Sequence, residues 1–140
     1  MKNSLSALDI HYLIKELQFL IGAKVDKIYH PKRKELILQF HVPNKGKEIL
    51  YISPNVTYLA EIKPFIQEPS EFCMYLRKKL NNARLKKLEQ LDFERIISFE
   101  FKTKEDTFNL IIEMFSAGNI ILVKENKILI AAEYKQWKDR

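Results

Sequence analysis

The sequence predicts a single α+β domain, in which amphipathic helices alternate with runs of antiparallel strands. Its 140 residues suit one domain, and a hydrophobic content of 46% supplies a core without help from disulfides or metal. The hydrophobic period switches from 3.6 to 2 twice along the chain. We therefore expect two main helices and about eight mostly antiparallel strands, arranged as two packed sheets or a barrel-like domain. No internal repeat is evident in the sequence.

The first helix is predicted over residues 7–21. Ser6 is a favourable N-cap, and Asp9 follows three residues later, where a carboxylate completes a capping box. Apolar residues recur through the segment at helical spacing, and Gly22 provides the stop.

A meander of three strands is expected next, because the apolar period changes to two and short polar turns separate the apolar runs. The long segment 53–69 contains three prolines and is expected to be a loop. The predicted strands are 24–30, 35–40 and 48–52.

The second helix begins after Ser70 and ends at Asn81 and Asn82. Its inner face is apolar and its last turn is basic, which suits the negative end of the helix dipole. Five more strands are predicted after it, at 84–91, 94–103, 107–115, 119–124 and 127–132.

Composition narrows the class of protein. A single cysteine, Cys73, cannot form an internal disulfide, which favours a reducing compartment. No apolar run approaches the roughly 20 residues that span a bilayer, and the first residues do not resemble an export signal. We expect a cytoplasmic protein, or a piece of one, that is not attached to a membrane.

The net charge of +6 is concentrated in places. A stretch of eleven residues contains six cations and no acid, and a smaller basic group occupies 32–34. A solvated helix face is the alternative for each cluster alone, but two clusters favour RNA or another phosphate-rich partner. The six cations are Arg77, Lys78, Lys79, Arg84, Lys86 and Lys87.

Catalytic and metal-binding motifs are missing from the sequence. There is no glycine-rich phosphate loop, HExxH or CxxC motif, and the three histidines lack ligand spacing. Cys73 lies on an apolar helix face, where a core role is expected. We therefore expect a binding domain without a metal or cofactor.

The run from Leu91 to Phe101 poses a question. As a strand it would place Arg95 on the same face as four phenylalanine and isoleucine side chains. A guanidinium in that position needs an acidic partner, a solvated strand end or a ligand.

Three stretches resemble one family, the NFACT-N domain of ribosome-quality-control factors. They are Gly22–Tyr29, the basic helix Phe72–Leu80 and the Gly-Asn strand entry Glu113–Leu122. The family includes the NEMF and RqcH group, formerly called fibronectin-binding proteins, and the likeness is to its archaeal branch. The resemblance implies a fold like the N-terminal domain of formamidopyrimidine-DNA glycosylases. It also implies that residues 1–140 are the N-terminal domain of a longer protein.

The resemblance also implies a function. Such factors bind an obstructed large ribosomal subunit, recruit charged tRNA and support untemplated C-terminal tailing, while the ribosome makes the peptide bond. Asp9 and Arg95 match residues on which the family depends for tRNA binding, and Glu94 stands where its aspartate is expected. Taken alone, Asp9 has a helix cap and Arg95 an ion pair as simpler explanations. The oligomeric state is left open.

Two other functions are weaker expectations. A DNA glycosylase of this fold would need a proline directly after the initiator methionine, where this chain has Lys2 and Asn3. A fibronectin-binding adhesin would need an export signal, and none is visible.

Overall fold

The computed structural model describes residues 5–61, 68–92, 94–115 and 118–133. Two ten-residue helices and nine strands make up the fold, which confirms the α+β class. The order is α1 (Ala7–Glu16), a 3₁₀ turn (Leu17–Leu20), β1 (Lys24–Lys32), β2 (Glu35–Val42), β3 (Gly46–Ile52), β4 (Thr57–Ala60), α2 (Glu71–Leu80), β5 (Arg84–Gln90), β6 (Ile96–Lys102), β7 (Thr107–Glu113), β8 (Ile120–Lys124) and β9 (Lys127–Ala131).

All nine described strands belong to one antiparallel sheet, in the order β4-β3-β2-β1-β5-β6-β7-β8-β9. The prediction of about eight strands missed one strand, and the alternative of two packed sheets is wrong, because β1 and β5 join the halves into one sheet. Its halves are joined between β1 and β5, where Lys24 lies opposite Arg84 and backbone hydrogen bonds flank that pair. Phe40 of β2 and Phe101 of β6 stack with ring centroids 6.4 Å apart. Three strand spacings of a flat sheet would separate them by about 14 Å. The sheet therefore bends sharply at the β1–β5 junction and closes around its own core.

The predicted loop 53–69 contains a strand, β4, that the sequence analysis missed. Ser53 turns the chain back, since its N–H donates to the Val56 carbonyl at 3.0 Å. Two of the four residues of β4, Tyr58 and Leu59, are exposed, so the strand has little apolar alternation to reveal it. Residues 62–67 of that loop lie outside the described residues.

The two halves repeat one design, although the sequence reading found no repeat. Gly22 donates to the Leu85 carbonyl at 2.7 Å, and Asn82 donates to the Val25 carbonyl at 3.1 Å. Gly22 and Asn82 both have positive φ, 91° and 64°, and each directly precedes the alanine before its strand. Each half is thus a helix, a left-handed turn and a four-stranded meander, with β9 added to the second half.

Each helix packs on the first strand of the other half, α1 on β5 and α2 on β1. Equivalent hydrogen bonds fix these contacts. Gln18 Nε2 donates to the Leu88 carbonyl at 2.8 Å, and Arg77 Nη2 donates to the Ile28 carbonyl at 2.7 Å. The exchange ties the two halves into one folding unit.

Cys73 is a core residue, as predicted. It is buried on α2 and its Sγ lies 3.5 Å from the carbonyl oxygen of Ile28. Burial raises the pKa of its thiol, which disfavours the reactive thiolate. Within the described ranges, no helix is long and apolar enough to cross a membrane.

Candidate nucleic-acid interface

The first turn of α1 is built by the predicted capping box. Asp9 N–H donates to Ser6 Oγ at 3.1 Å, and Ser6 N–H donates to Asp9 Oδ2 at 2.9 Å. The Asp9 carboxylate therefore has a confirmed structural role, and the N-terminus of α1 is held rigid.

The turn before β6 answers the question about Arg95. The strand was expected to begin at residue 94, but it begins at Ile96, and the Arg95 side chain is exposed. Asp92 has a φ of 48°, and Glu94 N–H donates to the Leu91 carbonyl at 2.9 Å. This tight turn ends the alternation before it reaches Arg95, so the guanidinium does not lie on the core face. Phe93 lies outside the described residues.

The Arg95 backbone is nevertheless fixed, because its carbonyl accepts a hydrogen bond of 2.7 Å from Met114 N–H. The side chain is therefore presented from a rigid base. In the part of the chain that the structure describes, Arg95 forms no ion pair. The structural explanation for this arginine, a salt bridge to an acidic neighbour, is not observed among those residues.

Glu94 and Arg95 line one cleft of about 510 Å³ with the start of α1. Ser6 and Ala7 form the helix wall, and Phe115 closes another side. Asp9 stands just behind this wall, where its carboxylate caps the helix. The three predicted tRNA-binding residues are thus gathered around the same helix terminus, with Asp9 supporting the cleft.

The chemistry of the cleft favours an anion bearing several oxygens. A guanidinium offers five N–H donors in a planar fork that fits phosphate. The N-terminal turn of α1 adds little positive charge, because the Asp9 carboxylate already caps it. Glu94 is exposed at the same rim and offers an acceptor for a hydroxyl or an amine.

The basic cluster of α2 and β5 is divided by the structure. Arg77 is half-buried and uses two donors, Nε at 2.9 Å and Nη2 at 2.7 Å, on the Ile28 carbonyl. Lys79 is half-buried beside the Tyr75 ring, 5.7 Å from its centroid. These two residues contribute to packing, and a phosphate contact by either remains a prediction.

The other four cations of the cluster are exposed. Arg84 donates to the Gly22 carbonyl at 3.1 Å, which uses one of its five N–H groups. Lys86 occupies a β-bulge, since Leu85 pairs with Phe101 and Lys87 with Glu100, leaving Lys86 unpaired in the ladder. The bulge allows the consecutive side chains of Lys86 and Lys87 to be exposed together. Lys78, on α2, is also exposed.

The Gly-Asn motif proves to be a backbone device. A Cβ on Gly118 would overlap the carbonyl oxygen of Glu113 and come within 2.7 Å of that of Phe115. Asn119 is fully buried, its Nδ2 donates to the Glu133 carbonyl at 2.6 Å, and its Oδ1 accepts from Ile120 and Glu133 N–H groups. The motif therefore sets the chain path beside Phe115 and the cleft.

Sequence reasoning missed Gln90, which joins the walls of the cleft. Its Nε2 donates to the carbonyl of Ala7 at 2.9 Å and to that of Glu94 at 2.8 Å. A polar residue near a strand end carries no sequence signal of such a role. Among the described residues, no group of three or more potential ligands is placed to hold a metal ion.

Comparison with known proteins gives the family of this chain. Residues 6–140 match the family model of the NFACT N-terminal and middle domains. The chain belongs to the NFACT-N family. It is an NFACT-N domain of the ribosome-quality-control group, as the resemblance in sequence predicted.

Relatives of this NFACT domain occur in archaea, yeast and humans. It is 34% identical over 148 positions to the archaeal Rqc2 homolog aRqcH of Methanocaldococcus jannaschii, covering all of this chain and 22% of the relative. It is 36% identical to the ribosome quality control complex subunit 2 of Saccharomyces cerevisiae, covering 95% of this chain and 13% of the relative. The human ribosome quality control complex subunit NEMF is 30% identical, covering 93% of this chain and 12% of the relative. The chain thus spans less than a quarter of each of these three proteins.

Two solved structures share its fold. The N-terminal domain of the fibronectin-binding protein PavA from Streptococcus pneumoniae superposes with a TM-score of 0.86 at 28% identity, covering 94% of this chain and 54% of that one. The N-terminal part of the fibronectin/fibrinogen-binding protein of Streptococcus suis superposes with a TM-score of 0.89 at 28% identity, covering 96% of this chain and 55% of that one. The likeness to the glycosylase N-terminal domain stays a prediction.

Proposed function

We propose that this NFACT domain is an RNA-binding module of a cytoplasmic ribosome-quality-control factor, and that it contacts tRNA and the large ribosomal subunit. The observation that carries the proposal is Arg95, an exposed guanidinium on a backbone pinned at 2.7 Å, in a cleft with the N-terminus of α1. The names of its relatives supply the ribosomal context.

In this proposal, the Arg95 fork binds an RNA phosphate through paired N–H donors. Glu94 accepts a hydrogen bond from a ribose hydroxyl or from the amine of an aminoacyl group. Asp9 caps the helix wall, and Gln90 joins that wall to the turn that carries Arg95. Because glutamate is one methylene longer than the family's aspartate, the carboxylate reaches further over the rim.

The domain binds and positions RNA, and it makes or breaks no bond itself. In a complete factor it would bring charged tRNA to an obstructed large subunit, where the ribosome adds untemplated residues to the stalled chain. The exposed cations Lys78, Arg84, Lys86 and Lys87 add salt-dependent phosphate contacts without base selection.

Equilibrium binding of fluorescent tRNA to the 140-residue chain tests this proposal. Arg95→Ala and a control, Lys127→Ala, each remove one exposed cation, but Lys127 lies on edge strand β9. We expect Arg95→Ala to weaken binding about tenfold or more, since a charged hydrogen bond contributes roughly 1.5–3 kcal/mol. Lys127→Ala should change it less than twofold. Equal losses in the two variants would mean that only net charge matters, and the cleft would lose its assigned role.

A second candidate, binding of fibronectin, rests on the names of the two streptococcal relatives. Immobilised fibronectin distinguishes it from RNA binding. A complex that persists at high salt and survives Arg95→Ala would support it, because electrostatic RNA contacts weaken steeply with salt.

A further inference from the structure

A row of five basic residues crosses the sheet from β3 to β6. Lys47 lies opposite His41, His41 opposite Lys24, Lys24 opposite Arg84, and Arg84 opposite Lys102. These positions are widely spaced in sequence, and only the strand registers bring them together. We call them the cationic row.

The cationic row faces outward. Directly opposed residues in a sheet point to the same face, and the next residue along each strand points to the other. The neighbouring positions Val25, Phe40, Leu85 and Phe101 are all buried in the core. In the row itself, Lys24 is half-buried and the other four residues are exposed. Measured along the surface of the sheet, five positions on adjacent strands cover roughly 19 Å at the usual strand spacing, and the row follows the bend between Lys24 and Arg84.

The row does not stabilise the fold. Lys24 lies opposite Arg84 and Arg84 opposite Lys102, and like charges in directly opposed positions destabilise a sheet. In the described segments none of its lysines and arginines forms an ion pair, and Arg84 donates to the Gly22 carbonyl. The nearby Asp26 accepts a hydrogen bond of 2.8 Å from Gln39. The cations that cross the junction of the two half-sheets are therefore available to bind an external anion.

We propose that the cationic row binds the phosphate backbone of RNA without reading its bases. The row is one residue wide and crosses five strands, four of which contribute a lysine or an arginine, and this arrangement fits a linear polyanion. Lys47, Lys24, Arg84 and Lys102 supply charge, and the row contains one aromatic ring, that of His41, so backbone contact dominates its chemistry.

The row is distinct from the Arg95 cleft, although it rests on the proposed function in assuming that the domain binds RNA. Lys102 ends β6 and Arg95 precedes it, so the two lie about 23 Å apart along the strand. A structured RNA bridging this distance would touch both sites, whereas a short unstructured RNA needs only the row.

The test uses a fluorescent 20-nucleotide oligouridylate and the 140-residue chain over a series of salt concentrations. The variant K47Q/K102Q removes two exposed cations from the row. The matched control K15Q/K127Q removes two exposed lysines from α1 and β9. For single strands the slope of log K against log salt changes by about 0.7 for each lost phosphate contact, so the row variant should lose about 1.4. We expect its affinity at low salt to fall at least tenfold and the control to stay within twofold of wild type.

The inference is overturned if both double variants change in parallel, if neither changes, or if wild type does not bind the oligouridylate at low salt. It is also overturned if K47Q/K102Q melts below wild type, because relief of like-charge repulsion should leave the melting temperature equal or higher. Arg95→Ala separates the two proposals. If Arg95→Ala loses tRNA binding but still binds the oligouridylate, both proposed sites are supported. If Arg95→Ala binds tRNA as wild type does, and K47Q/K102Q loses oligouridylate binding, only the proposal for the Arg95 cleft is overturned.

Discussion

The side-chain amide of Gln90 donates a hydrogen bond of 2.8 Å to the carbonyl oxygen of Glu94. The same nitrogen donates to the Ala7 carbonyl at 2.9 Å, so both of its N–H groups are used. One amide thus fixes the first turn of α1 against the turn that carries Arg95. The geometry of the proposed RNA cleft depends on this residue, which itself does not line it.

Gln90→Glu should weaken both stability and tRNA binding. A carboxylate keeps the shape but cannot donate, and it would face two carbonyl oxygens. We expect a loss of about 1–3 kcal/mol in urea unfolding. Binding should fall in parallel with Arg95→Ala although the charged fork is intact. Glu89→Gln is the control, since Glu89 is exposed beside it. Unchanged binding in a destabilised Gln90→Glu protein would show that the amide serves the fold alone.

Asn119→Ala should be among the most damaging polar substitutions in the described sheet. It removes three hydrogen bonds from a fully buried side chain and leaves the Glu133 carbonyl without that donor. We expect about 2–4 kcal/mol of lost stability, since unsatisfied buried groups keep their desolvation cost. Asn109→Ala, which loses one bond to Ser98 Oγ, should cost about 1 kcal/mol or less. Similar midpoints in urea for the two variants would contradict this account.

Arg77→Ala and Lys78→Ala should separate a structural cation from a phosphate contact. Loss of two donors to the Ile28 carbonyl should cost Arg77→Ala about 1–3 kcal/mol. Lys78 is exposed, so Lys78→Ala should change the unfolding free energy by no more than about 0.5 kcal/mol. It should instead reduce the salt dependence of tRNA binding. Thermal unfolding and salt titrations of both proteins measure the contrast. The assignment fails if Arg77→Ala is as stable as wild type.

Tyr51 should make the fold sensitive to alkali. Burial, followed by its hydrogen bond of 2.7 Å to Glu35, raises the pKa of its hydroxyl from 10.0 to about 12. The unfolded state ionises at lower pH than the native state, so this contribution is complete below pH 10 and is lost as pH rises towards 12. Tyr51→Phe should flatten the decline in unfolding free energy over that window. Tyr12→Phe, at an exposed position, should leave the decline as steep as in wild type.

Most of the architecture can be read from the chain because local rules set it. The caps at Ser6 and Ser70, the core position of Cys73 and eight strands follow from side-chain chemistry and period. The strand β4 was not predicted because it is short and half-exposed. Its residues form a strand because they pair with β3, and not because of their own apolar pattern. The boundary at Ile96 escaped because a left-handed turn at Asp92 interrupts the alternation.

The sequence by itself determined the fold class, the family and the residue types available for binding, since these depend on local pattern. Only the tertiary structure decided what those residues face. Arg77 and Arg95 carry the same guanidinium group. Arg77 donates to the Ile28 carbonyl, whereas Arg95 is exposed at a cleft. Gln90 and the cationic row had no local signal, because pairing between distant strands creates their surroundings. Register and packing are long-range properties, and they assign each side chain its partner.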